Sequence, residues 1–158
     1  MEEEIGQGMT VESISYMVSS MQSNHNNAYD IDIYMGLTEL DVLTDIFQDN
    51  YTPGTKQLVL SADSICYGDT VDAWSAIQLQ YPFHYEGQGN LVIEIVCPNS
   101  GYSPVYNWNT GSNRVLYTYN LSSSTGTRYS HLPYMLLSGS LGLEQRTFGS
   151  IKVLLGSE

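Results

Sequence analysis

The chain has 158 residues, and its five Lys plus Arg stand against 17 Asp plus Glu for a formal net charge of −12. Five scattered cations cannot form the basic stripe that tracks a phosphate backbone, nor hold a domain on an anionic membrane. The length suits one domain, which would bury about 68–70 % of its unfolded surface, and a 42 % hydrophobic content is enough for a core.

The polar surface is built mostly without charge. Charged residues make up 14 % of the chain, against roughly 25 % in an average domain. Ser, Thr, Asn and Gly supply 19, 11, 10 and 14 residues, and the aromatics are 13 Tyr with only three Phe. Surfaces of hydroxyl, amide and phenol point to a secreted module rather than a cytosolic enzyme. Met1 is followed by three Glu, the opposite of the basic start of a signal peptide, so secretion would make this chain a piece of a longer one. No apolar run approaches the 18 or so residues of a membrane span. Cys66 and Cys97 could close a loop of about 30 residues, adding roughly 3–4 kcal/mol by the chain-entropy estimate. The alternative is two buried thiols acting as small hydrophobes. Their spacing fits no zinc or redox pattern.

Period-2 alternation dominates the pass along the chain. Residues 12–19 place Ile14, Tyr16 and Val18 on one face, and residues 29–35 alternate Tyr29, Ile31, Ile33 and Met35 with Asp30, Asp32 and Tyr34. Residues 38–48 (TELDVLTDIFQ) carry Leu40, Leu43 and Phe47 at helical spacing behind Thr38, but Val42, Thr44 and Ile46 are β-branched. A helical turn or an irregular loop is therefore expected there rather than a full helix. Strands follow at 57–60 and around Ile77, Leu79, Tyr81 and Phe83, where Trp74 opens the strand as a core residue. Residues 91–97 are apolar on both faces, which predicts a central strand. Residues 114–120 alternate around Val115, Tyr117 and Tyr119, residues 122–127 (SSSTGT) are a flexible loop by composition, and strands at 134–137 and from Ile151 to Leu155 (IKVLL) end the series. About eight short strands separated by Gly-, Asn-, Ser- and Pro-rich turns predict an all-β fold: a two-sheet antiparallel β-sandwich, jelly-roll-like, as one domain over 1–158 with a tail at 138–158.

Four segments in this order, EEIGQGMTVESISYMV (3–18), YDIDIYMGLT (29–38), WSAIQLQYPF (74–83) and YEGQGNLVIEI (85–95), carry a resemblance. The chain resembles the adhesin-type β-sandwich module of large secreted surface proteins of anaerobic Gram-negative bacteria, over roughly residues 3–137. The resemblance implies a non-catalytic scaffold. Pro82 belongs at a strand edge or bulge, Gly87 and Gly89 in a turn that favours positive φ, and Asn90 in a bond to that turn's own backbone. The family pattern has a further strand region before the Glu-Ile-Gly element, and the strand from Ile151 to Leu155 is expected to take its place, in its own chain or in a neighbour's.

Chemistry-bearing residues are few. His25, His84 and His131 form no metal-ligand motif, and no G-x-S-x-G occurs. Calcium is the most plausible ion, with Asp63, Asp69 and Asp72 as the candidate ligands in a Gly-containing loop. Sequons at Asn50 and Asn120 carry no weight in a bacterial protein. The residues 102–109 (YSPVYNWN) gather Tyr102, Tyr106, Asn107 and Trp108 in the best candidate ligand-binding loop, suited to stacking on sugars. The expected function is a non-catalytic extracellular or cell-surface module for adhesion or assembly, self-associating through the stretch from Ile151 to Leu155 or binding a glycan or surface protein. A carbohydrate-binding module is the alternative, and a hydrolase with an unrecognised carboxylate pair the third reading.

Overall fold

Alternation translates directly into strands in the computed structural model, which describes residues 8–20, 27–66, 68, 70–100 and 105–141. The strands are β1 (Met9–Met17), β2 (Asn27–Thr38), β3 (Gln57–Cys66), β4 (Trp74–Tyr85), β5 (Asn90–Val96), β6 (Asn99–Ser100), β7 (Asn107–Asn109), β8 (Val115–Tyr117), β9 (Thr127–Tyr129), β10 (His131–Pro133) and β11 (Met135–Leu141). The protein is all-β, and the helical content among the described residues is one 3-10 turn at Gln48–Asn50. Every strand pairing among the described residues is antiparallel. One sheet runs β11-β1-β4 and another β3-β2-β5, with β6 also on β2; β7 with β10 and β8 with β9 form two-stranded ribbons. The expected strand from Ile151 to Leu155 lies outside the described residues.

The two larger sheets share one hydrophobic cluster. Val11 and Ile14 of β1 and Phe83 and Tyr85 of β4 join Ile31, Ile33 and Met35 of β2 and Val59 of β3. Each such side chain contributes about 1.5–3 kcal/mol when fully buried. β1 reaches the cluster with residues of both parities because its register shifts between Val11 and Ser13. Glu12 is one extra residue opposite β11, a bulge that turns Val11 and then Ile14 inward. On the other side of β1 the partners jump from Phe83 to Gln78. Pro82 therefore lies in an excursion of β4, as its missing N–H requires.

At that excursion the two sheets are joined by a side chain. Gln80 Oε1 accepts the Ser61 N–H at 3.0 Å, and Gln80 Nε2 donates to the Ser61 carbonyl at 2.8 Å. The amide thus pairs with the edge of β3 as a strand would.

The outer face of β2 is covered by the segment that follows it. The Thr52 N–H donates to the Leu37 carbonyl at 2.7 Å, and the Leu37 N–H donates to Thr55 Oγ1 at 3.0 Å. This return lays Tyr51 on Gly36, where an added Cβ would stand 2.7 Å from Tyr51 Cδ1. Only glycine admits the ring so close to the strand.

Between the end of β2 and the 3-10 turn, residues 39–47 form an irregular segment, as expected, and Thr38 Oγ1 accepts the Leu40 N–H at 3.2 Å. Several expectations are corrected. β5 pairs with β2 alone among the described residues, so β2 is the central strand. β5 is apolar on both sides because Leu91 and Ile93 pack on the core while the opposite face meets the segment carrying Tyr51 and Lys56. Trp74 is 43 % exposed, being paired with Met17 at the very end of β1, beyond the core. Gly87 and Gly89 have the expected positive φ of 80° and 74°. Asn90, however, donates from Nδ2 to the Leu40 carbonyl at 3.1 Å, tying β5 to the segment after β2. Cys66 and Cys97 are free thiols; Cys66 is exposed rather than buried.

Two outcomes test these contacts. Gln80→Ala, at an exposed position, should lower stability by about 1 kcal/mol, while Gln78→Ala should be near neutral; urea denaturation midpoints measure both. Gly36→Ala should cost about 1–3 kcal/mol by overpacking, and much less in a Tyr51→Ala background, so a double-mutant cycle should show coupling between the two positions.

Candidate functional site

Between β6 and β11 the chain forms two small ribbons whose register sets out their side chains. In β7 and β10, Trp108 lies opposite Leu132, Asn109 opposite His131 and Asn107 opposite Pro133. In β8 and β9, Val115 lies opposite Tyr129, Leu116 opposite Arg128 and Tyr117 opposite Thr127. Alternation puts Tyr117, Thr127 and Tyr129 on one face, with Leu116 and Arg128 on the other.

The rings on the first face touch in series. Tyr119 meets Tyr117 edge-on at 5.8 Å between centroids, Tyr117 meets Tyr129 edge-on at 6.4 Å, and Tyr129 stacks on His131 at 4.8 Å. These are favoured aromatic geometries, worth about 0.5–1.5 kcal/mol a pair. Tyr119 is 97 % exposed, and Tyr117 and Tyr129 are about half exposed. Among the described residues, none of the three phenol hydroxyls has a protein hydrogen-bond partner.

Local hydrogen bonds hold this ribbon in shape. Asn120 Oδ1 accepts the Ser122 N–H at 3.0 Å, Thr118 Oγ1 accepts the Asn120 N–H at 3.1 Å, and Ser123 Oγ accepts the Thr125 N–H at 3.2 Å. Most of the stretch 122–127 is thus side-chain-capped turn, and its last residue, Thr127, opens β9. The ribbon also docks on the segment after β2: Phe47 N–H donates to the Ser124 carbonyl at 3.1 Å, Gly126 N–H to the Asp45 carbonyl at 2.9 Å and Leu43 N–H to the Asn113 carbonyl at 3.0 Å. That segment is itself shaped by Asn50, only 3 % exposed. Asn50 Oδ1 accepts the Thr44 N–H at 2.7 Å and its Nδ2 donates to the Ile46 carbonyl at 2.8 Å.

The residues expected to bind a ligand are spread out. Asn107 and Trp108 lie on strand β7 rather than in a loop, and as neighbours they face opposite ways. Tyr106 commits its hydroxyl to Asp72 Oδ1 at 2.6 Å and sets its ring edge-on to Tyr134 at 6.4 Å. The bond to Asp72, and then that carboxylate's charge, push the Tyr106 phenol above its ordinary pKa. Tyr102 lies outside the described residues. Of the candidate calcium ligands, Asp63 is exposed on β3, Asp72 occupies a left-handed turn position with φ 59° and accepts the Tyr106 hydroxyl, and Asp69 lies outside the described residues. No group of three or more His, Cys, Asp or Glu side chains is gathered among the described residues. His84 stands exposed on β4 with Nδ1 3.3 Å from Thr10 Oγ1, and His25 is outside the described residues.

The electrostatic centre of the described structure lies elsewhere, on the outer face of β2 and β5. Lys56 Nζ reaches Glu94 Oε2 at 2.8 Å, and the Tyr51 hydroxyl donates to the same oxygen at 2.9 Å. The ammonium sits 4.5 Å from the Tyr34 ring centroid and 4.9 Å from that of Tyr51. Burial raises the Tyr51 phenol far above its ordinary value, and the Glu94 charge adds to the rise. The cluster is internally satisfied, and it fastens Tyr51 over Gly36.

The sequence reading picked out Tyr117 and Tyr119 as strand residues, yet missed the ring series. Its signal was two i, i+2 aromatic pairs, Tyr117 with Tyr119 and Tyr129 with His131, which become continuous only through the β8–β9 register. No family model, no curated protein and no solved structure matches this chain.

The Tyr51 phenol supplies a pH signature. An unfolded tyrosine ionises near pH 10, while folded Tyr51 keeps its proton. Its contribution to stability is therefore present below about pH 10 and lost as the pH rises above it. Melting temperatures should fall above that pH, and Tyr51→Phe should melt lower at pH 7, losing a bond to a charged group worth about 1.5–3 kcal/mol, with a shallower alkaline fall.

Proposed function

We propose that this chain is a non-catalytic, extracellular or cell-surface module for adhesion or surface assembly, with a jelly-roll-like sandwich as its scaffold. Two antiparallel sheets that contribute to one hydrophobic cluster support the sandwich reading. The observation that carries the assembly reading is the outer edge of β11. Among the described residues β11 pairs with β1 alone, and it exposes Leu136 and Leu141. An open edge of seven residues offers backbone N–H and carbonyl groups to an added strand. The stretch from Ile151 to Leu155 has the composition to fill it from a second copy. At a net charge of −12 the copies repel each other, so calcium should favour association by screening or bridging carboxylates.

Sedimentation velocity at two protein concentrations, with calcium and with chelator, tests this reading. Oligomers should grow with concentration and with calcium, and Val153→Pro should return the chain to monomer. A wild-type chain that stays monomeric under all four conditions overturns assembly.

A further inference from the structure

We propose that the exposed ring series Tyr119–Tyr117–Tyr129, backed by His131, is a binding strip for a neutral oligosaccharide. The strip goes beyond the assembly reading and does not depend on β11.

Three observations converge on it. First, the three tyrosine rings are held in contact and left open to solvent, with the half-buried His131 stacked behind Tyr129. Scattered exposed aromatics are ordinary, but a contiguous run of them marks a surface that meets a partner. Here Tyr119 is 97 % exposed and fixed against Tyr117, with its turn held by Asn120 and Thr118. Second, the composition is that of surfaces that bind through rigid amphipathic rings and adaptable small polar groups. Of the 26 residues 105–130, 15 are Tyr, Ser, Asn or Gly. The free phenol hydroxyls, and the Asn109 amide across from His131, can exchange hydrogen bonds with a hydroxyl-rich ligand. Asn109 Oδ1 accepts the Gly111 N–H at 2.9 Å, which fixes the side chain while its Nδ2 has no protein partner among the described residues.

The third observation, charge, selects the ligand. All 17 carboxylates of the chain fall outside residues 95–143. The strip therefore lies within a stretch free of acids in a strongly acidic protein. Of the two cations in that stretch, Arg128 alternates to the opposite face with Leu116, and Arg114 precedes β8 with its Nε buried. A nucleic acid strand needs a cationic groove beside its stacking rings, and an acidic glycan needs cations for its carboxylates; this face supplies neither. A neutral sugar chain is complementary to it. Its C–H faces lie on the electron-rich ring faces, and its hydroxyls meet phenol and amide groups.

The test is quenching of tyrosine fluorescence by a panel of neutral gluco-, xylo-, manno- and galacto-oligosaccharides, with oligogalacturonate and oligoproline as rival ligands. At least one neutral oligosaccharide should bind. Tyr119→Ala and Tyr129→Ala should each weaken it about tenfold or more, as expected for ring anchors. Both positions are exposed, so only the ring pairs are lost and melting temperatures should fall by no more than about 2–6 °C, which separates lost binding from lost folding. Tyr81→Ala, exposed on β4 away from the strip, should bind like wild type. The proposal is overturned if no neutral oligosaccharide binds at millimolar concentration, if only oligogalacturonate or oligoproline binds, or if Tyr119→Ala leaves binding intact. Sedimentation of Tyr119→Ala should match wild type, so failure here is distinguishable from failure of assembly.

Discussion

β2 is the central strand of its sheet, with apolar residues facing the core and Tyr34, Gly36 and Thr38 facing outward, and the packing on its two sides organises the rest of this protein. Its inward residues Ile31, Ile33 and Met35 are met by the cluster shared with β1 and β4. Among the described residues its outward side is covered by the chain's own continuation rather than by a second sheet. Tyr51 closes over Gly36, and Lys56 is trapped between two tyrosine rings and the Glu94 carboxylate. The cover has a downstream effect, because the same segment holds the β8–β9 ribbon through Leu43, Asp45 and Phe47. Packing at the centre of the sheet is thereby linked, element by element, to the exposed rings at the surface.

A chain with so few charges relies on side-chain amides for its junctions. Gln80 pairs with the edge of β3, Asn50 shapes the segment that supports the ribbon, and Asn90 ties β5 to that same segment. Each amide offers both donors and an acceptor, so it can satisfy a backbone N–H and a carbonyl together, as Gln80 does at Ser61. Charged side chains present only one of these roles and lose more on desolvation.

Local alternation made most of the strands legible. Ile14 with Tyr16, Ile31 with Ile33 and Val115 with Tyr117 each announced a strand where one exists. Features that depend on register were not legible. The Glu12 bulge reverses which residues of β1 face the core, and its trace in the sequence is only a change of phase, from Met9 and Val11 to Ile14 and Tyr16. Residues 91–97 suggested a centre, whereas the apolar second face of β5 answers to the cover over β2. Trp74 looked like a core residue because of its size, but its position at the end of the β1–β4 pairing leaves it half exposed. The same limitation hid the ring series: Tyr117 and Tyr129 are twelve residues apart, and only a diagonal cross-strand contact makes them neighbours.

The scarcity of cations also bears on how the chain endures. Peptidases that cut after Lys or Arg find only Lys56, Arg114 and Arg128 among the described residues. Lys56 is held by an ion pair and two rings beside the start of β3, and Arg114 adjoins β8 while Arg128 lies within β9. Cleavage requires an extended segment to leave its strand pairing and enter a protease cleft, so each of these bonds is guarded by local structure. A surface written in Tyr, Ser, Thr and Asn is, by its spelling, a poor substrate for trypsin-like digestion.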